Sequence, residues 1–156
     1  MKTQLILQNK HFNSLLCELK DLEKDRIYCN HQISHLVEVA RIMLLINSRQ
    51  QLNIPNNIII ATALLHDIGR VNQYKYGTDH RVAGISDINN ILTECNYSNE
   101  EISTIINAIK LHNNSSNNTL ANLLYKADKL SRPCYCCKVK ESCKWEQNLQ
   151  NKCYYK

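Results

Sequence analysis

Apolar residues recur every three to four positions along most of this chain, and no long stretch alternates at period two, so the pattern predicts an all-α protein of about six helices. Leu5, Phe12, Leu15, Leu16, Leu19 and Leu22 keep helical spacing in the first segment, which closes on the charged run Lys20 to Arg26, read as a solvated face. A second helix carries His31 and His35 and continues through Val39, Ile42, Met43 and Ile46. Pro55 suits the first turn of a third helix and Gly69 its end, which places His66 and Asp67 in the last turn, facing a loop. That loop, Arg70 to Thr78, carries Tyr74 and Tyr76 and is expected to lie over the opening as a lid or recognition loop, with plain surface tyrosines as the simpler reading. A helix follows from Asp79 to about Thr93. Ser98, Asn99, Glu100 and Glu101 form a capping box that opens the next, which runs to His112. A polar loop, Asn113 to Asn118, leads to a last helix from Leu120 to Leu130.

Composition narrows the class without changing that picture. A chain of 156 residues, 44% hydrophobic and 21% charged, with three glycines and two prolines, has the profile of one globular helical domain with a proper core. No stretch approaches the roughly 20 apolar residues that span a bilayer. Met1 to Leu5 lacks the apolar core and cleavage site of a signal peptide, so a cytoplasmic protein without membrane partners is expected. The formal charge of +5 admits anionic substrates and nucleic acid alike.

The chemistry enters at Ala63-Leu64-Leu65-His66-Asp67-Ile68-Gly69, where an imidazole and a carboxylate emerge together from an apolar helix. His35, His80, His112 and Asp128 also follow helical stretches, giving the order H, HD, H, H, D. A single helix histidine is ordinarily a hydrogen-bonded residue with no further task. The full series points instead to a metal site, and imidazole with carboxylate suits divalent Mn, Fe, Co, Ni or Mg. His31, one turn before His35, would face the same side of a helix and is a candidate for an additional ion or for substrate, with hydrogen bonding or packing as its plainer fate. His11 has no partner in the pattern and is expected to be exposed.

These residues resemble the HD-domain metal-dependent phosphohydrolases, and Leu64 to Gly69 matches the HDIG form of that motif. His35-Leu36-Val37-Glu38-Val39-Ala40, Asp79-His80-Arg81-Val82-Ala83-Gly84, Ala108-Ile109-Lys110-Leu111-His112 and Tyr125-Lys126-Ala127-Asp128-Lys129-Leu130 resemble the remaining segments of that family, so most of the chain is covered. The resemblance implies that His35, His66, Asp67 and Asp128 hold one divalent ion, and that His80 and His112 supply a second with Asp67 as the bridge. Some two-metal relatives carry a histidine where Asn113 stands and a lysine where Arg70 stands, which leaves the count at one or two. Two ions about 3.5 to 4 Å apart would clamp an attacking hydroxide and the phosphate oxygens. Arg70, three residues past Asp67, is the first choice for a catalytic phosphate contact, followed by Lys110, Lys129 and Arg132; each has a plain reading as a solubilising charge.

After Ser131-Arg132-Pro133 the character changes, dividing the chain into a helical domain over 1–132 and an irregular, cysteine-rich extension over 133–156. Five of the eight cysteines fall in the last 23 residues. In a reducing compartment they argue against a disulfide framework. Cys134, Cys137, Cys143 and Cys153 could surround zinc or an iron–sulfur cluster, with free thiols as the alternative. Cys17, Cys29 and Cys95 read as small core residues.

Two functions compete. The first is a divalent-metal-dependent phosphohydrolase acting on a phosphomonoester, phosphodiester or phosphoanhydride of a nucleotide or dinucleotide. The second is a non-catalytic, metal-stabilised sensor or nucleic-acid adaptor, in which Arg132, Lys138, Lys140 and Lys144 supply charge while Tyr135 and Trp145 stack bases.

Overall fold

What organises the molecule is a short, almost wholly apolar helix threaded through its centre. The structure, a computed structural model, describes residues 1–112, 117–145 and 150–151. Its α-helices are α1 (Lys2–Gln8), α2 (Lys10–Leu22), α3 (Ile33–Gln50), α4 (Asn56–Leu65), α5 (Arg70–Tyr76), α6 (His80–Ala83), α7 (Ile85–Glu94), α8 (Asn99–Leu111) and α9 (Thr119–Leu130). In α4, Ile58, Ile59 and every residue from Ala61 to Leu65 are buried, so only its first turn and the edge at Ile60 reach solvent. The long helix α3 packs most extensively on α4 and next on α9, and α8 covers another side of α4.

Nine α-helices among the described residues replace the expected six, and each addition has a local cause. Asn9 is extended, and its side chain accepts from the Phe12 amide at 2.9 Å, which ends α1 and starts α2. The stretch expected as a lid loop is helical through Tyr76, closed by Gly77 in the left-handed region at φ 72°. The helix expected from Asp79 divides at Gly84 into α6 and α7. The capping box is as expected: Ser98 accepts from the Glu101 amide, and Glu101 accepts from the Ser98 amide.

Other expectations shift in detail. Helix α3 starts at Ile33, so His31 precedes it. Phe12, Leu15 and Leu19 are buried as the spacing requires, but Leu5 and Leu22 are exposed, and Ile6 takes the inner position in α1. Cys95 is a core residue, Cys29 is half-buried and Cys17 is exposed. Glu23, assigned to a solvated face, is 3% exposed. No helix among the described residues is long and apolar enough to cross a membrane.

Candidate metal centre

Three helix ends deliver four polar side chains to one point. Helix α4 stops at Leu65, and His66 to Gly69 form the elbow into α5, with Ile68 N–H donating to Leu65 O and Arg70 N–H to Asp67 O. His35 comes from the first turn of α3 and Asp128 from the last turns of α9. One ligand atom from each of His35, His66, Asp67 and Asp128 lies within 4.8 Å of the others. His35 Nε2 stands 3.4 Å from both Asp67 Oδ2 and Asp128 Oδ1, and His66 Nε2 stands 3.0 Å from Asp67 Oδ2.

The elbow is held by two glycines. A Cβ on Gly69 would lie 1.9 Å from the His80 carbonyl oxygen, and one on Gly84 would lie 2.8 Å from the Gly69 Cα. Gly69 adopts ordinary right-handed geometry at φ −61°, so its small size is what this position requires. The close approach seats α6, and with it His80, against the HD elbow.

The donor set fits a divalent cation. His35 Nε2, His66 Nε2 and Asp67 Oδ2 are buried without a hydrogen-bond partner, an arrangement that leaves polar atoms desolvated and uncompensated unless something positive joins them. The ring nitrogens are correctly disposed as well. His66 Nδ1–H donates to Ala63 O at 2.7 Å; since a carbonyl only accepts, the lone pair of the neutral ring is left on Nε2, facing the cluster. Burial opposes protonation of His66, but the neighbouring Asp67 and Asp128 charges outweigh it and hold this imidazole above its ordinary value. A bound cation would take that proton's place. Burial would raise Asp67, yet His66 and Arg70 hold it well below the usual carboxylate range. Asp128 is raised by burial and by Asp67 but brought down to about 2 by His66, Lys129 and Arg132.

His80 and His112 stand one ring further out. The ring centroids of His66 and His112 are 5.8 Å apart, and those of His112 and His80 5.7 Å. His112 Nδ1–H donates to Ile109 O at 2.6 Å, repeating the His66 arrangement. Burial, reinforced by Arg70 for His80 and by His66 for His112, pushes both down to about 4, so they are neutral near pH 7. His80 Nε2 is 3.7 Å from Asp67 Oδ1, but that oxygen also accepts from Arg70 Nε at 2.6 Å. A second ion at this oxygen would have to displace the guanidinium.

Of the cations named from sequence, Arg70 pairs with Asp67, while Lys129 Nζ and Arg132 Nη2 meet Asp128 Oδ2 at 2.9 and 3.3 Å. Lys110 is exposed on α8 and takes part in none of these pairs. Trp145 covers the same cations, its ring centroid 4.1 Å from Arg132 Cζ and 4.7 Å from Lys129 Nζ. That ring therefore packs against the centre's own cations, a different use from the base-stacking platform expected of it. Beside the centre, a cavity of about 440 Å³ is lined by His35, Arg132, Tyr28, Asn30, Ile27 and Pro133, among others.

Sequence reasoning missed Glu23. Its Oε1 accepts from His31 Nδ1 at 2.5 Å and from the Tyr74 hydroxyl at 2.7 Å, and its Oε2 accepts from the His31 amide at 2.8 Å. The His31 ring lies edge-on to His35, with centroids 5.7 Å apart. A signal was present: position 23 continues the buried series 12, 15, 19 at helical spacing, which the surrounding charges concealed. His11 is exposed as expected, but its Nε2 is 2.8 Å from Asp87 Oδ1. Cys153 and Asn113 lie outside the described residues.

A family model for the HD domain matches residues 33–132, which contain all of His35, His66, Asp67, His80, His112 and Asp128. An uncharacterized protein of Clostridium beijerinckii is 40% identical over 151 residues, covering 96% of each chain. The crystal structure of a predicted HD superfamily hydrolase from an uncultured Thermotogales bacterium has the same fold, with a TM-score of 0.64 at 23% identity, over 91% of this chain and 82% of the other. The chain belongs to the HD domain family, a membership that together with the His/Asp cluster supports a metal-dependent hydrolase.

Proposed function

We propose that the protein hydrolyses a phosphoester or phosphoanhydride bond of a nucleotide-sized substrate, with a divalent ion held by His35, His66, Asp67 and Asp128. The observation that carries this reading is the set of buried, unpartnered nitrogen and oxygen atoms converging beside a cavity. When bound, such an ion supplies Lewis acidity to a phosphoryl oxygen and lowers the pKa of a water. Manganese, iron, cobalt, nickel and magnesium all suit these hard and borderline ligands.

The remaining work falls to the chain's own groups. Arg70 is fixed by Asp67 and Arg132 by Asp128, so their guanidinium planes are oriented in advance for phosphate oxygens. Lys129 adds a third positive charge at the same edge. Ser131 lies between the centre and the cavity, its hydroxyl 3.2 Å from His35 Nδ1. A volume of about 440 Å³ falls in the range of small-molecule pockets. Tyr28, Ile27 and Pro133 offer apolar surface for a base, and Arg132 in the same lining suits phosphate. His80 and His112 are neutral nitrogen donors, and a second ion beside them would compete with Arg70 for Asp67 Oδ1.

The test is phosphate release from a panel of nucleoside mono-, di- and triphosphates and dinucleotides by metal-free protein reloaded with each ion in turn. Turnover that follows metal loading and disappears in a folded Asp67→Ala variant is expected. Folded, metal-loaded wild type that turns over none of the panel and binds none of it would overturn the reading.

A further inference from the structure

The C-terminal tail presents a physical problem that the hydrolase reading leaves untouched. Among its described residues, 133–145 and 150–151, no apolar side chain is buried; the buried ones are Gln150 and Asn151. Its regular structure is two short 3₁₀ turns, Cys134–Cys136 and Lys140–Ser142. Without a core of its own, such a segment is ordinarily stapled by a crosslink or a metal.

The arrangement of its cysteines suggests which. Cys137 N–H donates to Cys134 O at 3.3 Å, so the CxxC pair shares one tight turn. Cys143 directly follows the second turn, and the preceding residue, Ser142, accepts through its carbonyl from the Tyr28 hydroxyl at 3.0 Å. That bond brings the loop before α3 against the tail, and the next residue in the loop is Cys29. Its carbonyl accepts from Arg26 Nε at 2.7 Å, which fixes the loop on its other side. Cys29, Cys136 and Cys137 line the same cavity. Cys29, Cys134, Cys137 and Cys143 share intermediate burial, whereas Cys17 and Cys136 are exposed and Cys95 is in the core. Burial pushes the Cys29 thiol up; Cys134, Cys137 and Cys143 each push it further, and Arg132 pulls it down. Four half-buried thiols gathered where the loop before α3 meets the tail are an arrangement that a thiophilic cation would complete.

We infer that Cys29, Cys134, Cys137 and Cys143 together bind a thiophilic metal centre, a zinc ion or an iron–sulfur cluster, which pins the tail to the loop before α3. The fourth ligand is then a residue of the helical body more than 100 positions upstream, in place of Cys153. This centre is separate from the His/Asp cluster in ligands and in metal preference, since four thiolates select soft ions. No three of these sulfurs lie within 4.8 Å of one another, so loading draws the half-exposed side chains together. Each thiol gives up its proton to bind. The wall that Cys29 and Cys137 contribute to the cavity ties the centre to the shape of the proposed substrate site.

The experiment uses the full chain, produced with zinc and iron supplied and purified anaerobically without chelator. Elemental analysis and visible absorption are compared for wild type, Asp67→Ala, Cys29→Ser, Cys134→Ser, Cys17→Ser and Cys136→Ser. Zinc, or iron that carries the visible absorption of thiolate ligation, should persist in Asp67→Ala, Cys17→Ser and Cys136→Ser, and fall to a small fraction in both Cys29→Ser and Cys134→Ser. Because a variant could fail to fold, alkylation of wild type provides a second reading. Cys29, Cys134, Cys137 and Cys143 should be protected until a strong chelator is added, while Cys17 and Cys136 react at once. Full metal retention in folded Cys29→Ser, or immediate alkylation of all four in metal-replete wild type, would overturn the inference.

Discussion

The His/Asp cluster and the cysteine tail both gather ligand-type side chains, but the chain assembles them by opposite means. In the cluster, every ligand stands on or beside a helix packed into the core, and His66 and Asp67 are each 1% exposed. Apolar burial by α3, α4 and α9 holds the polar atoms together before any ion arrives. In the tail no described apolar side chain is buried, and the order comes from turns, hydrogen bonds and the contact of Trp145 with Arg132. A site built by the core should survive metal removal as a shape, whereas one built without a core should depend on its metal for shape as well. Structural metal sites contribute to folding outright for this reason.

The largest expected effect is on the cluster alone. Asp67→Ala should lower phosphohydrolase turnover by about a thousandfold or more, since the electrostatic stabilisation lost with a metal is several kcal/mol. Circular dichroism should show the helices intact, and the cysteine-bound metal should be unchanged. Loss of both metals together would break the separation between the two regions.

Gly69→Ala probes the packing that builds the cluster. The new Cβ would meet the backbone of His80 at 1.9 Å, and a carbonyl oxygen cannot swing aside as a side chain would. Overpacking of this kind costs about 3 kcal/mol, or roughly 10 °C in thermal unfolding for a chain of this size. Scanning calorimetry would measure it. An unchanged midpoint would mean that α6 is free to move, contrary to a site held rigid by its core.

Acid sharpens the contrast further. His80 and His112 are pushed down to about 4 by burial and by nearby positive charge, against about 6.5 for an unperturbed imidazole. Between those values the unfolded chain binds more protons than the folded one, so this stability is fully present above about pH 6.5 and is lost as pH falls toward about 4. Denaturant unfolding of metal-free protein at pH 7, 6 and 5 should show the decline, and His112→Gln should flatten it.

The smallest effect belongs to the joint between the regions. Trp145→Leu removes the ring beside Arg132 and Lys129, a contact of about 1 kcal/mol. If the tail only steadies those cations for substrate, KM should rise about fivefold with kcat nearly unchanged. A fall in kcat at constant KM would place the tail closer to the chemistry than the geometry suggests.

Much of the cluster is legible in the amino-acid sequence because its signals are local. An apolar run interrupted by His66 and Asp67, a capping box at Ser98, and helical spacing around His35 and Asp128 all report on their own neighbourhoods. Expectations failed where a local signal had two meanings. Gly69 read as a helix terminator, but its φ is that of an ordinary helical residue, and what it provides is room for the His80 carbonyl. Glu23 read as part of a charged surface, yet Tyr74 and His31 approach it from elsewhere in the chain and make its burial tolerable. Arg70 to Tyr76 read as a lid loop and is a helix, closed by Gly77 in the left-handed region.

By itself, then, the sequence determined the helical class, the central apolar helix and the residue types able to hold a metal, because periodicity and short motifs are written in neighbouring positions. Only the tertiary structure decided that His35 and Asp128, 93 residues apart, meet at Asp67, that Arg70 occupies the carboxylate oxygen nearest His80, and that Cys29 lines a cavity with cysteines of the tail. Such meetings depend on how helix ends are carried past one another by the packing of a shared core, and no local stretch of residues encodes that.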